Sequence, residues 1–454
     1  MKFIANILDQ PLFRRHMAFL ALLLAAGCAV TPPGHDTARH IQSVASLATA
    51  IQFHTNALPA EAPSAPNRLT LAAAVERALR QSPELQIALA NVRAAQADAH
   101  QSRLLPNPVL DIAFRFPEGG GRTVIEAGLA TQLAQLLQRP RRISAADAAL
   151  RAASARAITV TLQVMHATQR EYFKTVALRG QSAILAQRVS RITELLRVAE
   201  DRLAAGEGTQ LDVATLKTEL ATANLDLRET SRAIKNAQIA FARRLGQPRG
   251  RIDWDLVTPL YTQVAMRGEP DAIAHGLRVR PEIQADRWQL VALEDEKALA
   301  RLAWLESAAA GLDTERNDGW SLGPSLAMPL PIFDWGQAKR AGARAQAIAA
   351  RQRLTQTTRQ VVSEIRSAHH AVAELMTTTG QARTNLIPLH QERVRLAKAV
   401  FDAGQEDVTR LRLAELDLLE AQLKLAHLEH RTTRAIIDFD RATGGSTEGT
   451  SDGE

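Results

Sequence analysis

The sequence predicts a mainly α-helical protein with a small membrane-type β part, built as two duplicated half-molecules. Three observations predict it: helical stretches too long for a globular domain, short segments of apolar/polar alternation, and a self-similarity offset of about 198 residues. Composition agrees, since 46% of residues are hydrophobic but only 4% are aromatic, and Ala, Leu, Arg, Gln and Glu dominate. That usage favours long helices over a compact mixed core.

The first segment reads as a leader. Arg14 and Arg15 precede an apolar run, Met17 to Ala26, which is too short to span a bilayer and has the character of a secretory h-region. It ends at Ala25-Ala26-Gly27-Cys28, which resembles the lipobox of bacterial lipoproteins, with Ala25 standing where leucine is usual. Residues 1–27 are therefore expected to be a lipoprotein signal peptide. Cys28, the only cysteine of the chain, is expected to become the palmitate-bearing first residue of a lipid-anchored tether over 28–67. A plain cleaved leader with an incidental cysteine is the alternative. No later segment has the ~20 apolar residues of a membrane helix, so any further crossing has to be made by β-strands.

Two half-molecules follow, repeat 1 over 68–248 and repeat 2 over 271–445, joined by a Pro/Gly-rich linker at 249–270 and followed by a flexible tail at 446–454. Ser82-Pro83-Glu84-Leu85 answers to Arg280-Pro281-Glu282-Ile283, and Ala205-Gly206-Glu207 to Ala403-Gly404-Gln405. Arg244-Leu245-Gly246 answers to the segment from Arg441 to Gly444. Each repeat opens on an Ala/Leu-rich helical stretch; in the first it runs from Leu69 to Leu104, broken near Ser82-Pro83. Pro106-Asn107-Pro108 stops it, because proline lacks a donor and constrains the residue before it. After the strands the helical pattern resumes at Pro140 and runs to Ala205, about 65 residues or roughly 100 Å. Gly206-Glu207-Gly208 breaks it, and a return helix ends near Gly246. The second copy has its long arm from Gly336 to Ala403, with Pro388 as the expected kink, and its return from Val408 to Thr443. Helices of this length imply a helical tube or coiled coil.

The strands lie at about 108–133 and about 305–331, one hairpin in each repeat. Leu110, Ile112, Phe114 and Phe116 alternate with Val109, Asp111, Ala113 and Arg115, and Ile125, Ala127 and Leu129 with Glu126, Gly128 and Ala130. Turns are expected at Pro117 to Gly121 and at Asn317-Asp318-Gly319, the second leading into Trp320, Leu322 and Leu326. Period-2 alternation puts one set on each face. The apolar set has nothing β-rich to cover it, which points to a lipid-facing outside and a watery inside. Four strands cannot close a barrel and open edges do not survive in lipid, so closure demands several copies.

Leu71-Ala72-Ala73-Ala74-Val75, Ser82-Pro83-Glu84-Leu85, Leu105-Pro106-Asn107-Pro108 and the run from Pro329 to Gly336 carry a resemblance to the TolC family of outer-membrane efflux proteins. It spans about Leu69 to Gly444. The resemblance implies a homotrimer with a twelve-stranded β-barrel in the outer membrane of a Gram-negative bacterium, continuous with a long periplasmic α-helical barrel. It implies two partners, a periplasmic adaptor (membrane fusion) protein and a proton-driven inner-membrane pump. The function it implies is a tripartite-efflux duct exporting small molecules or metal ions, the heavy-metal branch being one candidate. A duct for type I protein secretion and a periplasmic structural or adaptor protein are the alternatives.

The family's functional positions lie where the helix pairs turn. Matched here, the adaptor-contact positions are Arg202, Ala205, Gly206, Gly208 and Thr209 in repeat 1, and Phe401, Ala403, Gly404, Asp407 and Val408 in repeat 2. The family places carboxylates at the closed end of its tunnel. Asp212 matches such a constriction, whereas Arg410 takes the equivalent place in repeat 2. For the glycines an ordinary helix cap is the competing explanation.

Other chemistries find little footing. The formal net charge is +7, but basic and acidic residues are interspersed along helices and no stacking motif accompanies them, which argues against nucleic-acid binding. His427 with His430, and His369 with His370, lack a third ligand in sequence. No nucleophile motif or phosphate loop is present, so neither an enzyme nor a cofactor is expected.

Overall fold

Hydroxyl caps start the first two long elements. In the computed structural model a two-residue strand, β1 (Arg68–Leu69), leads to Thr70, whose side chain accepts from Ala73 N and opens helix α1 (Leu71–Arg80). Ser82 accepts from Leu85 N and opens α2 (Pro83–Arg103), with Pro83 in the first turn, where its missing N–H is no loss. The structure describes residues 53–56, 66–116, 123–250, 252–257, 266–316 and 319–444, all within one unit, His40–Glu454. Cys28, the leader, most of the tether, the Pro117 to Gly121 turn, Asn317-Asp318, part of the linker and the tail lie outside the described residues.

Strands β2 (Val109–Arg115) and β3 (Val124–Gln132) form the first hairpin. Helix α3 (Leu133–Ala204) follows directly and is 72 residues long. At 1.5 Å per residue it reaches about 108 Å. The expected start at Pro140 is corrected here: the helix begins at Leu133 and keeps Pro140 inside its first turns. One proline removes only one donor, and the many bonds on either side carry the helix through it. The return helix is α4 (Gln210–Arg244), and β4 (Asp255–Leu256) then pairs in parallel with β1.

The second copy repeats the order. Helices α5 (Glu269–Val279) and α6 (Pro281–Leu299) lead through a short 3-10 turn to β5 (Ala309–Arg316) and β6 (Trp320–Ala327). The long arm is α7 (Gln337–Gln381), a π-helical turn at Ala382–Leu386, and α8 (Ile387–Asp402). Pro388 sits in the first turn of α8, and the widened turn before it relieves the ring's clash with the preceding carbonyls. Helix α9 (Val408–Thr443) returns.

The core runs along α3. Val75, Leu79, Leu85 and Val92 of α1 and α2 pack on Ile158 and Leu162. Beside them Tyr172 stands edge-on to Phe241, with centroids 5.9 Å apart, and Phe241 edge-on to Trp254 at 5.5 Å. The buried Tyr172 hydroxyl lies 3.0 Å from Leu69 O and 2.5 Å from Val257 O, tying α3 to the β1–β4 pair. In repeat 2, Ala272, Ile283, Ile365 and Phe439 gather α5, α6, α7 and α9. Each repeat also seals the end of its return helix with an arginine. Arg77 Nε donates to Leu245 O at 3.2 Å, and the buried Arg280 donates to Ala442 O at 3.0 Å while pairing with Glu364.

The two hairpins join into one antiparallel sheet, ordered β2-β3-β5-β6. Register places Leu110, Leu129, Leu312 and Pro324 in one row, and Ile112, Ala127, Thr314 and Leu322 in the next. The opposite face carries Asp111, Gly128, Asp313 and Gly323, then Ala113, Glu126, Glu315 and Ser321. Strands β2 and β6 are its edges, and the apolar side chains stay exposed, Leu322 at 68%. No described helix is long and apolar enough to cross a membrane.

Candidate functional site

The two helix turns are built alike. At the end of α3, Ala205 caps the helix and Gly206 follows with φ of +80°. Glu207 N donates back to Arg202 O at 2.9 Å and Gly206 N to Leu203 O at 3.1 Å, a closing pattern that a left-handed residue makes possible. At the end of α8, Ala403 is the cap and Gly404 has φ of +67°. Gln405 N donates to Val400 O at 3.1 Å and Gly404 N to Phe401 O at 2.9 Å. Both glycines are thus helix caps. A Cβ on either would meet nothing within 4 Å, so the space beside them is open. Gly208 differs, because a Cβ there would stand 3.0 Å from Leu203 N.

The charged tip residues meet across the two turns. Arg202, in the last turn of α3, pairs with Asp407, the N-cap of α9, and also reaches Thr409 Oγ1 at 3.4 Å. Burial opposes ionisation of Asp407, but hydrogen bonds from Thr409 and the Arg202 charge outweigh it and hold its carboxyl below the usual range. Asp212 closes a capping box with Thr209, each side chain bonding the other's backbone N–H. The Thr209 hydroxyl and N–H hold the Asp212 carboxyl below its ordinary value, with Arg202 adding a smaller pull.

Arg410 pairs with Glu406 on its own turn, Val408 begins α9, and Phe401 is exposed. The structure therefore brings Arg202, Asp407 and, at longer range, Asp212 together, and turns Arg410 to Glu406. Sequence reasoning missed Glu406 and Thr409. It also missed a network above the tips, where Arg191 reaches Glu415 at 3.5 Å and Arg412 reaches Glu194 at 3.4 Å. Its signal was present as two i, i+3 pairs, Arg191 with Glu194 and Arg412 with Glu415. Nothing local said that the two pairs would face one another.

At the far end, the polar face of the sheet forms a shallow cavity of about 450 Å³ lined by Asp111, Glu126, Asp313 and Glu315. Arg115 pairs with Glu126 at 2.8 Å. A Cβ on Gly128 would stand 2.6 Å from Asp313 Oδ1, so the small residue makes room for the carboxylate. Arg316 lies over the Trp320 ring at 5.6 Å, next to the turn. Among the described residues no three His, Cys, Asp or Glu side chains, the carboxylates of this face included, stand close enough together to hold a metal ion. His369 Nε2 lies 3.2 Å from Arg267 O, and burial, with the nearby Arg434 charge, pulls His430 below its usual value.

Residues 275–445 match the sequence model of a family described as outer membrane efflux protein. The chain is 22% identical over 404 residues to the cobalt-zinc-cadmium resistance protein CzcC of Cupriavidus metallidurans, covering 86% of this chain and 93% of that one. It is 24% identical over 293 residues to the outer membrane efflux protein BepC of Brucella suis, spanning 62% of BepC. Among solved structures it resembles the outer-membrane channel OprN, with a TM-score of 0.68, 22% identity, and coverage of 83% of this chain and 90% of that one.

Proposed function

We propose that this chain, which resembles outer membrane efflux proteins in sequence over residues 275–445 and in fold, is a TolC-family duct subunit of a tripartite efflux system working as a homotrimer. The observation that carries the reading is the four-stranded sheet with an exposed apolar face and two free edges, running directly into helices of about 100 Å. An edge strand in lipid leaves backbone groups unsatisfied at several kcal/mol each. With the order β2-β3-β5-β6, all antiparallel, β6 of one copy runs antiparallel to β2 of the next. Copies can therefore be added around a ring without a parallel joint. Three copies give twelve strands, the apolar rows outward and the carboxylates of Asp111, Glu126, Asp313 and Glu315 lining the lumen.

The tips then point into the periplasm. The open space beside Gly206 and Gly404 receives the end of an adaptor hairpin, and Arg202, Asp407 and Asp212 set the charge around it. Cys28, acylated, anchors the tether in the outer membrane beside the barrel. The substrates are small molecules or metal ions chosen upstream by a proton-driven pump, in line with the name of the CzcC relative. Deletion and complementation test this. Cells lacking the chain are expected to become sensitive to the metal or drug that the neighbouring pump handles, and to recover with the wild-type copy. Unchanged sensitivity in a strain whose pump is shown to need an outer-membrane partner would overturn the assignment.

A further inference from the structure

An open groove of about 780 Å³ lies between α7 and α9, alongside α3, away from both the tips and the sheet. Four arginines line it, Arg170, Arg431, Arg434 and Arg441, against two acids, Glu364 and Asp438. Both acids are already committed. Glu364 accepts from Arg280 at 3.0 Å, and Arg280 is buried and outside the groove. Asp438 accepts from Arg170 at 2.9 Å. Arg434 stands 3.8 Å from Asp438 and Arg441 stands 3.9 Å from Glu364, both beyond hydrogen-bond reach. Arg441 Nε is enclosed and has no hydrogen-bond partner, and Arg431 makes no hydrogen bond or ion pair among the described residues.

Three guanidinium groups thus share one side of α9 with their donors unspent. Asp438 lies between them on α9, but it already accepts from Arg170, so one shared carboxylate faces three like charges whose mutual repulsion costs the helix stability. Ser363 and Ser367 add neutral donors along the α7 wall, and Ala368, Ala371, Leu375 and Ala435 supply an apolar floor. Positive donors above an apolar floor are complementary to an amphipathic anion. A guanidinium fork takes a carboxylate through two parallel charge-assisted bonds, which a metal cation cannot accept and a neutral acceptor matches only with weaker ones.

We propose that this groove binds a small organic anion, its carboxylate or comparable oxyanion head held by Arg431, Arg434 and Arg441 and its apolar body laid on Ala368, Ala371 and Leu375. The site needs only the folded chain, so it stands or falls separately from the duct assignment.

Calorimetric titration of the full-length protein, in amphipol to avoid micelle partitioning, tests it with 1-naphthoate and its uncharged isostere 1-naphthamide. Naphthoate is expected to bind saturably, one per chain, with an affinity that falls as salt rises, and naphthamide to bind at least about tenfold more weakly. Arg431→Gln with Arg434→Gln is expected to weaken naphthoate by about tenfold or more. Ser367→Asp, which adds a repelling charge without removing an arginine, is expected to do the same, so a folding defect in the double variant leaves the question answerable. Equal binding of the acid and the amide, unchanged binding in Ser367→Asp, or no saturable naphthoate binding by the wild-type chain would overturn the site.

Discussion

Leu322→Arg should cripple assembly while Ser321→Arg, its neighbour one residue away, should not. The two side chains sit in adjacent rows of β6 on opposite faces, Leu322 across from Thr314 and Ser321 across from Glu315. If the apolar face meets lipid, an Arg costs about 2–4 kcal/mol at the bilayer midplane and about 0–1 kcal/mol near an interface. Leu322 stands two residues from Trp320 at the turn, so an Arg there costs about 1–3 kcal/mol. Three copies in a closed ring are far enough apart to add, giving about 3–9 kcal/mol per trimer. That is comparable to the whole net stability of an ordinary domain, about 5–15 kcal/mol. At position 321 the new guanidinium instead faces the carboxylates of Glu126 and Glu315 in water. The assay is the fraction of chain recovered from outer membranes as a heat-modifiable oligomer, with urea midpoints in lipid vesicles as the quantitative measure. Equal losses in both variants, or wild-type assembly of Leu322→Arg, would refute the assignment of faces.

Three further outcomes are expected. Tyr172→Phe keeps the ring packing but removes the hydroxyl bond to Val257 O or Leu69 O, costing about 1–3 kcal/mol in denaturant unfolding. Burial, then the Asp255 charge, pushes the Tyr172 hydroxyl up to about 12 from the usual value near 10. Its stabilisation is therefore complete below about pH 10 and lost between about pH 10 and 12, and the alkaline decline should be shallower in Tyr172→Phe. Gly404→Ala, in open space but at a φ of +67°, should cost about 1–2 kcal/mol in thermal unfolding while leaving oligomer mass unchanged. Arg202→Asp should loosen the tip and raise single-channel conductance, Asp407→Arg alone should do likewise, and the double exchange should restore the wild-type value.

Much of this architecture was legible because its punctuation is local. Pro83 and Pro281, and Gly206 and Gly404, stand at the same spacing in the two copies and mark a helix start and a helix end in each. Strand faces were equally readable, since alternation is a property of a single strand. What resisted reading is non-local. The pairing of β3 with β5, which sets Leu129 beside Leu312 and merges two hairpins into one sheet, joins residues far apart in the chain. The same holds for Arg202 meeting Asp407 and for Arg191 meeting Glu415. Pro140 misled because proline usually marks a helix start, whereas here the helix begins at Leu133 and tolerates it. Arg410 was legible as the odd charge in the repeat, but its partner Glu406 was hidden in the turn.

The central claim is that this chain closes its sheet only by joining copies of itself. Mass measurement by light scattering of the protein extracted from outer membranes, corrected for bound detergent, addresses it most directly. A trimer, rich in helix with a minor β fraction by circular dichroism, is the expected result. A stable, monodisperse monomer with the same secondary structure would contradict it.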